Sequence, residues 1–121
     1  MQSSVSTQVP MTFLVTQERS FRVLVDLLFT PQDPDAVRFQ YQLPGEEPVR
    51  WVLPRRLLAD GLGTPVASGP VRIEPTGIDG PAQVLFSLQG RRGTARFRSR
   101  VQPIAAFLNR TAPAAAPPGR R

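Results

Sequence analysis

The sequence predicts an α+β domain built mainly from antiparallel sheet, with about seven strands, a short middle helix and a C-terminal helix. Three observations lead to this fold class. Apolar and polar residues alternate along most of the chain, as they do in half-buried strands. Short loops rich in Pro, Gly and Asp separate these segments, and such loops favour antiparallel neighbours. Apolar residues at helical spacing occur near residues 55–62 and after residue 100.

Four strands are predicted before residue 54, joined as an antiparallel meander. Pro10 lies on the polar side of the first strand, which favours a sheet edge or a bulge at that point. Leu24 and Leu28 lie on the side of the second strand that should face outward. We expect another element or another subunit to cover them. The alternating segments are 5–15, 21–29, 37–43 and 49–53.

Residues 49–73 predict a strand, a short helix and a second strand, which together join two halves of the fold. Pro54 has no N–H for a ladder, so it ends the strand and suits the start of a helix. Gly61 is expected to end this helix in the left-handed conformation. We interpret five residues as structural anchors that fasten the two sheet halves together: Trp51, Leu57, Leu58, Gly61 and Leu62.

Three further strands and a helix are predicted after residue 70. The strands carry alternating apolar residues around Val71–Ile73, Val84–Leu88 and Ala95–Phe97. The helix places Ile104 and Phe107 on one apolar side. Residues 1–111 should form a single domain, and the helices should cover one face or end of the sheet. Residues 112–121, rich in Pro and Ala with a basic end, are expected to be a disordered tail.

The composition argues against several classes of function. The 121 residues include neither Cys nor His, which removes thiolate chemistry, the commonest metal ligand and the commonest general base. The paired carboxylates Asp33/Asp35 and Glu46/Glu47 lie in polar loops, where solvated acids are the usual outcome. We therefore predict no catalytic, cofactor-binding or metal-binding residues and no enzyme. No apolar run approaches the roughly 20 residues that cross a bilayer, so a cytoplasmic protein is expected.

Basic residues concentrate at the C-terminal end of the chain. Residues 1–90 contain seven Arg and nine acids, a net charge of −2, whereas residues 91–121 contain eight Arg and no acid, a net charge of +8. The arginines that share one face of the last predicted strand could bind a phosphate backbone, or they could form a solvated outer face. All nine aromatic residues lie on apolar sides, so a stacking platform for nucleic-acid bases is not expected. The candidate interaction patch is Arg91, Arg92, Arg96, Arg98 and Arg100.

Several short segments of the chain form a recognisable set through their order and spacing. They are Asp33 to Val37, Trp51 to Leu53, Arg55 to Leu58, Gly61-Leu62, Pro65, Gly69, Val71-Arg72, Phe107-Leu108, Arg110-Thr111 and Pro117 to Gly119. In this order and spacing the segments resemble the SsgA-like proteins, which regulate sporulation and cell division in filamentous actinomycetes. The resemblance covers about residues 5–119. It implies a fold similar to the whirly single-stranded nucleic-acid-binding proteins, a homotrimer, no enzymatic activity, and control of septum position through the tubulin-like FtsZ ring.

The working hypothesis is a non-catalytic, homo-oligomeric adaptor in sporulation-specific cell division, recruited to division septa. Its partners would be FtsZ or another SsgA-like protein. Its candidate surfaces are the arginine patch and the loops Thr30–Asp35 and Pro44–Pro48. The alternative is a whirly-like protein that binds single-stranded nucleic acid through the same arginines, which the lack of exposed aromatic residues does not favour.

Overall fold

A computed structural model describes residues 3–77 and 80–115 of the chain, with side chains as far as residue 112. Within these ranges eight strands and two helices follow one another. They are β1 (Val5–Leu14), β2 (Ser20–Phe29), β3 (Ala36–Tyr41), β4 (Val49–Pro54), α1 (Arg55–Gly61), β5 (Val66–Ser68), β6 (Val71–Thr76), β7 (Gln83–Gly90), β8 (Gly93–Arg100) and α2 (Val101–Ala115).

All eight strands form one antiparallel sheet in the order β4-β3-β2-β1-β8-β7-β6-β5. Two four-stranded meanders, β1–β4 and β5–β8, meet where Thr12–Leu14 pair with Arg96–Arg98. The predicted fold class, mainly antiparallel sheet with two helices, is confirmed. The additional strand is β5, whose three residues lie among turn residues and are too few to show an alternating pattern.

The sheet is strongly curled, so its two halves face each other. Three strands separate β3 from β7, and in a flat sheet the two would be about 19 Å apart. The ring centroids of Phe39 on β3 and Phe86 on β7 are nevertheless only 5.2 Å apart. Phe97 on β8 lies 5.4 Å from Phe39 and 4.6 Å from Tyr41. One side of the sheet therefore wraps around an aromatic core, and the other becomes the outer face.

Helix α1 covers the seam between the two free edges of the curled sheet, where it contacts β4, β5 and β6. Leu58 is fully buried, whereas Leu57, Leu62 and Trp51 are partly buried and pack against the core. The five predicted anchors thus lie on α1, directly after it, or on the strand that precedes it. Their role in fastening the sheet halves stays a prediction.

Gly61 does not end α1 in the left-handed conformation, so that prediction was wrong. It is the last residue of the helix and is not among the glycines with positive φ, while Leu62 after it is also right-handed, with φ −71°. Gly61 serves close packing instead. A Cβ at this position would lie 2.7 Å from Ile73 Cβ and 3.1 Å from Val66 Cγ2.

Helix α2 packs on β1, and its residues Ile104, Phe107 and Leu108 are buried in the hydrophobic core. Arg55, at the start of α1, connects the two helices. Its Nε donates a hydrogen bond to Thr111 Oγ1 at 2.9 Å, and its Nη2 donates to the Leu108 carbonyl at 3.1 Å. Since Thr111 is fully buried, these bonds satisfy polar groups that water cannot reach.

Helix α2 extends to Ala115, so its last four residues, 112–115, belong to the segment expected as a tail. The remaining residues of the predicted tail, 116–121, lie outside the described residues.

The predictions for Pro10 and for the second strand concern the outer face. Before Thr12, β1 pairs with β2 on one side only, so Pro10 has a single paired neighbour although β1 lies near the centre of the sheet. On β2, Leu24 is 54% exposed and Leu28 is half-buried. Within the described residues the main helix contacts are those of α1 with β4, β5 and β6 and of α2 with β1, so the outer side of β2 stays largely open.

Replacing Gly61 with Ala tests the close packing of α1. We expect Gly61→Ala to lower the free energy of unfolding by about 1–3 kcal/mol, because the new methyl group overlaps Ile73. Gly63→Ala is the matched control, since a Cβ there meets no atom within 4 Å. Urea denaturation measures both changes. Equal stabilities of the two variants would contradict the packing role.

Candidate interaction surfaces

The outer face carries arginines from two separate parts of the chain. Arg98 on β8 lies opposite Thr12 on β1, and Thr12 lies opposite Arg22 on β2. Arg96 is two residues before Arg98 on the same side of β8 and lies opposite Leu14. On the other flank of β8, Leu85 of β7 lies opposite Arg98. We call this surface the arginine face; its residues are Thr12, Leu14, Arg22, Leu85, Arg96 and Arg98.

The guanidinium groups of the arginine face have no carboxylate partner among residues 3–77 and 80–112. The ion pair found there is Arg72–Glu74, at 3.1 Å between Nη2 and Oε1 on neighbouring β6. Arg22, Arg96 and Arg98 are all exposed. Beside them, a cleft of about 550 Å³ is bounded by Arg96, Arg98 and the residues between β1 and β2. This surface can therefore accept anionic groups without first breaking an internal ion pair.

The structure divides the predicted patch into three parts. Arg96 and Arg98 lie together on the arginine face. Arg100 is on the same side of β8 but at its far end, opposite Gln83. Arg91 and Arg92 form the turn between β7 and β8, at the open end of the curled sheet. The patch also gains Arg22, which sequence reasoning missed because the pairing of β1 with both β2 and β8 is not visible in the alternation pattern.

A second surface, the aromatic end, lies at the opening of the curled sheet near the turn of Arg91 and Arg92. It contains a cleft of about 350 Å³ lined mainly by residues of β1, of β3 and the loop that follows it, and of β4, and by that turn. Trp51 lies above the turn, since a Cβ placed on Gly90 would be 3.7 Å from its ring. We define the aromatic end by Phe13, Tyr41, Leu43, Val49 and Trp51.

Not every aromatic side chain is part of the core, which corrects the sequence-based expectation. Phe21 is 39% exposed, while Phe13 and Trp51 are half-buried. Phe21 lies 5.4 Å from Phe13 between ring centroids, at the end of the β1–β2 hairpin, where the sheet no longer has an opposite wall. The three rings keep the apolar parity of their strands, so they lie on the core side and not on the arginine face.

Tyr41 lies at the aromatic end with its phenol largely buried. Burial raises its pKa above the usual 10.0, because the charged phenolate would lose hydration. The nearby Trp51 indole N–H partly offsets the rise, and the charge of Glu46 adds to it. The Trp51 Nε1 atom is shielded from water and does not reach hydrogen-bond geometry with any acceptor in the described part of the chain.

The two acidic loops are short, locally bonded turns. In the loop Thr30–Asp35 the Asp33 N–H donates to the Thr30 carbonyl, and the Asp35 carbonyl accepts from the N–H of Arg55 at 2.8 Å. In the loop Pro44–Pro48 the Glu46 carbonyl accepts from Gln42 Nε2 at 2.9 Å. The carboxylates of both loops are exposed. Neither loop lies on the arginine face.

Comparison with known proteins identifies the family. A family model described as Streptomyces sporulation and cell division protein SsgA matches residues 23–120. The sporulation-specific cell division protein SsgB of Streptomyces coelicolor is 35% identical over 119 residues, which are 98% of this chain and 86% of that protein. This chain belongs to the SsgA family. Its family-level function, regulation of cell division during sporulation in actinomycetes, agrees with the sequence-based prediction.

Other members of the SsgA family support the same assignment. SsgB of Thermobifida fusca is 30% identical over 109 residues, 90% of this chain and 79% of that protein. A solved structure from work on SsgB mutations and longitudinal cell division in S. coelicolor superposes with a TM-score of 0.86, covering 97% of this chain and 91% of that one. The crystal structure of the T. fusca SsgA-like protein also gives 0.86, with 98% and 88% covered.

Titration of Tyr41 tests the geometry of the aromatic end. Because Tyr41 is the only tyrosine, absorbance near 295 nm follows this single phenol. We expect a midpoint above that of a free tyrosine. Glu46→Gln should lower the pKa of Tyr41, because it removes a nearby negative charge.

The raised pKa of Tyr41 predicts how the free energy of unfolding depends on pH. Because the folded state favours the neutral phenol, the contribution of Tyr41 to stability is complete below about pH 10. It declines as pH rises through the folded pKa. Urea denaturation between pH 8 and 11 measures the decline. A midpoint at or below that of free tyrosine would contradict the buried, desolvated environment.

Proposed function

We propose that this chain is a non-catalytic adaptor that helps to place the septum during sporulation. The observation that carries the proposal is the match to SsgB over nearly the whole chain in both sequence and fold. The finer steps follow from the family resemblance: contact with FtsZ or with another SsgA-like protein, positioning of the FtsZ ring, and recruitment from the cytoplasm to division septa. The whirly-like comparison is likewise an implication of that resemblance.

The shape of the described surface supports an adaptor. Its candidate sites are open clefts and an arginine-rich sheet face, which suit contacts with a macromolecule more than enclosure of a small substrate. In the described ranges, no three His, Cys, Asp or Glu side chains come together as a metal site. Within the same ranges, neither helix has the length and apolarity needed to span a bilayer.

Deletion of the gene in its actinomycete host tests the proposed function. We expect aerial hyphae to form few or no sporulation septa while vegetative growth continues. Fluorescently tagged FtsZ should fail to form regular ladders of rings. Re-introduction of the wild-type gene is the control and should restore both septa and ladders. Normal septum number and spacing in the deletion strain would overturn the proposal.

We also propose that the adaptor is a homo-oligomer, with a trimer as the form that the family resemblance implies. Leu24 and Val52 support an oligomer, because they are 54% and 57% exposed on the outer side of β2 and β4. The two residues lie on strands separated only by β3 on the same face of the sheet, and exposed apolar residues on one face are a usual feature of subunit interfaces.

Light scattering after size exclusion measures the oligomeric state. Three copies of the 13.3 kDa chain give a mass of about 40 kDa. Leu24→Ser combined with Val52→Ser should shift the protein toward the monomer. Val15→Ser, at a 44% exposed valine in the β1–β2 turn, is the matched control and should leave the mass unchanged. A wild-type protein that is monomeric at micromolar concentration would count against the proposal.

A further inference from the structure

The arginine face combines positive charge with apolar surface in a regular arrangement. Arg98 has Leu85 as its cross-strand neighbour on β7, and Arg96 has Leu14 as its neighbour on β1. Both leucines are half-buried, so part of each side chain remains accessible. Each of these two guanidinium groups therefore stands beside an apolar side chain. A ligand that uses the whole surface must present acidic and apolar groups side by side.

The charges of this surface are available for a partner. Among the described residues on the same side of the sheet, Glu74 is held by Arg72, and Asp26 lies on β2 beyond Leu24. Neither forms an ion pair with Arg22, Arg96 or Arg98. A guanidinium group binds a carboxylate through two parallel N–H donors, which gives geometric as well as electrostatic selectivity.

The position of the arginine face within the sheet decides which secondary structure a partner can use to bind there. At Arg96–Arg98, β8 is paired with β1 on one side and with β7 on the other, so no free edge can accept an added strand. An extended peptide laid on this face would gain no backbone hydrogen bonds from the sheet, so it would lack the main-chain contacts that give strand-adding peptides their affinity. A helix satisfies its backbone N–H and C=O groups internally and docks through its side chains alone.

The spacing of the arginines fits such a helix. Alternate residues on one side of a strand are about 6.6 Å apart, which is the separation expected for the Cα atoms of Arg96 and Arg98. Residues four apart on a helix are separated by about 6 Å along its axis. Acidic residues at i and i+4 can therefore reach both arginines, while apolar residues on the same side of the helix contact Leu14 and Leu85.

We propose that the arginine face docks an acidic amphipathic helix of a partner protein. This inference deepens the proposed function, because it assigns the adaptor a surface and gives its partner a chemistry. A single nucleic-acid strand is a poorer fit. The exposed and half-buried rings of Phe13, Phe21 and Trp51 lie on the core side of the sheet, so in the described part of the chain they cannot offer bases a stacking platform on this face.

Fluorescence anisotropy with a designed probe tests the proposal. The probe is a labelled synthetic helix of about 18 residues that carries Glu at i and i+4 with Leu on the same side. A second peptide has every Glu replaced by Gln, and a labelled oligo(dT) represents nucleic acid. Near physiological salt, we expect the Glu helix to bind at least about tenfold more tightly than the Gln helix and more tightly than oligo(dT).

Paired variants locate the binding site. Arg96→Ala/Arg98→Ala should weaken binding of the Glu helix about tenfold. Arg56→Ala/Arg110→Ala, at two exposed arginines on α1 and α2, removes the same charge elsewhere and should change binding less than twofold. Leu85→Gln keeps every charge and should weaken binding about threefold. Circular dichroism confirms that each variant is folded, and amide chemical shifts of the wild-type protein should change at Thr12, Leu14, Leu85, Arg96 and Arg98.

Three results would overturn the docking proposal. Equal binding of the Glu and Gln helices would remove the role of the carboxylates. Equal losses of affinity for the Glu helix in the two double-arginine variants would show that the net charge of the protein alone explains the binding. Tighter binding of oligo(dT) than of the Glu helix would make nucleic acid the ligand. None of these results depends on septum counts, so the docking proposal can fail while the deletion phenotype still supports the proposed function.

Discussion

The contact between Phe39 and Phe86 holds the fold together, because it closes the curled sheet on itself. The two strands that carry these rings have three others between them, yet the ring centroids are 5.2 Å apart. Phe97 and Tyr41 extend the same cluster, so a single aromatic core lies inside the curve. Without that packing, eight antiparallel strands would form an open sheet with two uncovered edges. With it, the edges approach each other closely enough for the two turns of α1 to cover the seam.

The curled sheet places alternate residues of each strand on two different faces. Residues of one parity enter the core, and those of the other lie on the outer face, where they are free to serve contacts with partners. At the central strands this outer parity carries Arg22, Arg96 and Arg98, whereas toward β4 it exposes Leu24 and Val52 together with Arg38 and Arg50. The outer face therefore holds two regions, one dominated by arginine and one that also exposes apolar side chains. An adaptor that assembles with itself and also binds a second protein needs both kinds.

Sequence alternation predicted most of the fold because each long strand buries one face, and period two is visible in a single chain. Pro54 and the leucines also predict the strand, short helix and strand at residues 49–73. Three features of the structure could not be predicted in this way. The strand β5 is too short to alternate, Gly61 is required by Ile73 across the seam and not by its own backbone, and Arg22 joins the other arginines only through strand pairing. Each depends on contacts between distant segments, which local patterns do not encode.

The pairing of β1 with β8 affects the stage of folding at which the protein can bind a partner through the arginine face. Thr12 and Arg98 are 86 positions apart in the chain, and only three residue pairs join the two meanders at this point. Such distant strands pair only after a large loop-closure entropy has been overcome, whereas each meander consists of hairpins between neighbours. The arginine face spans this junction, with Arg22 on one meander and Arg96 and Arg98 on the other. Half-folded chains and isolated fragments would each hold only part of it, so a partner that needs the whole surface recognises the completed domain alone.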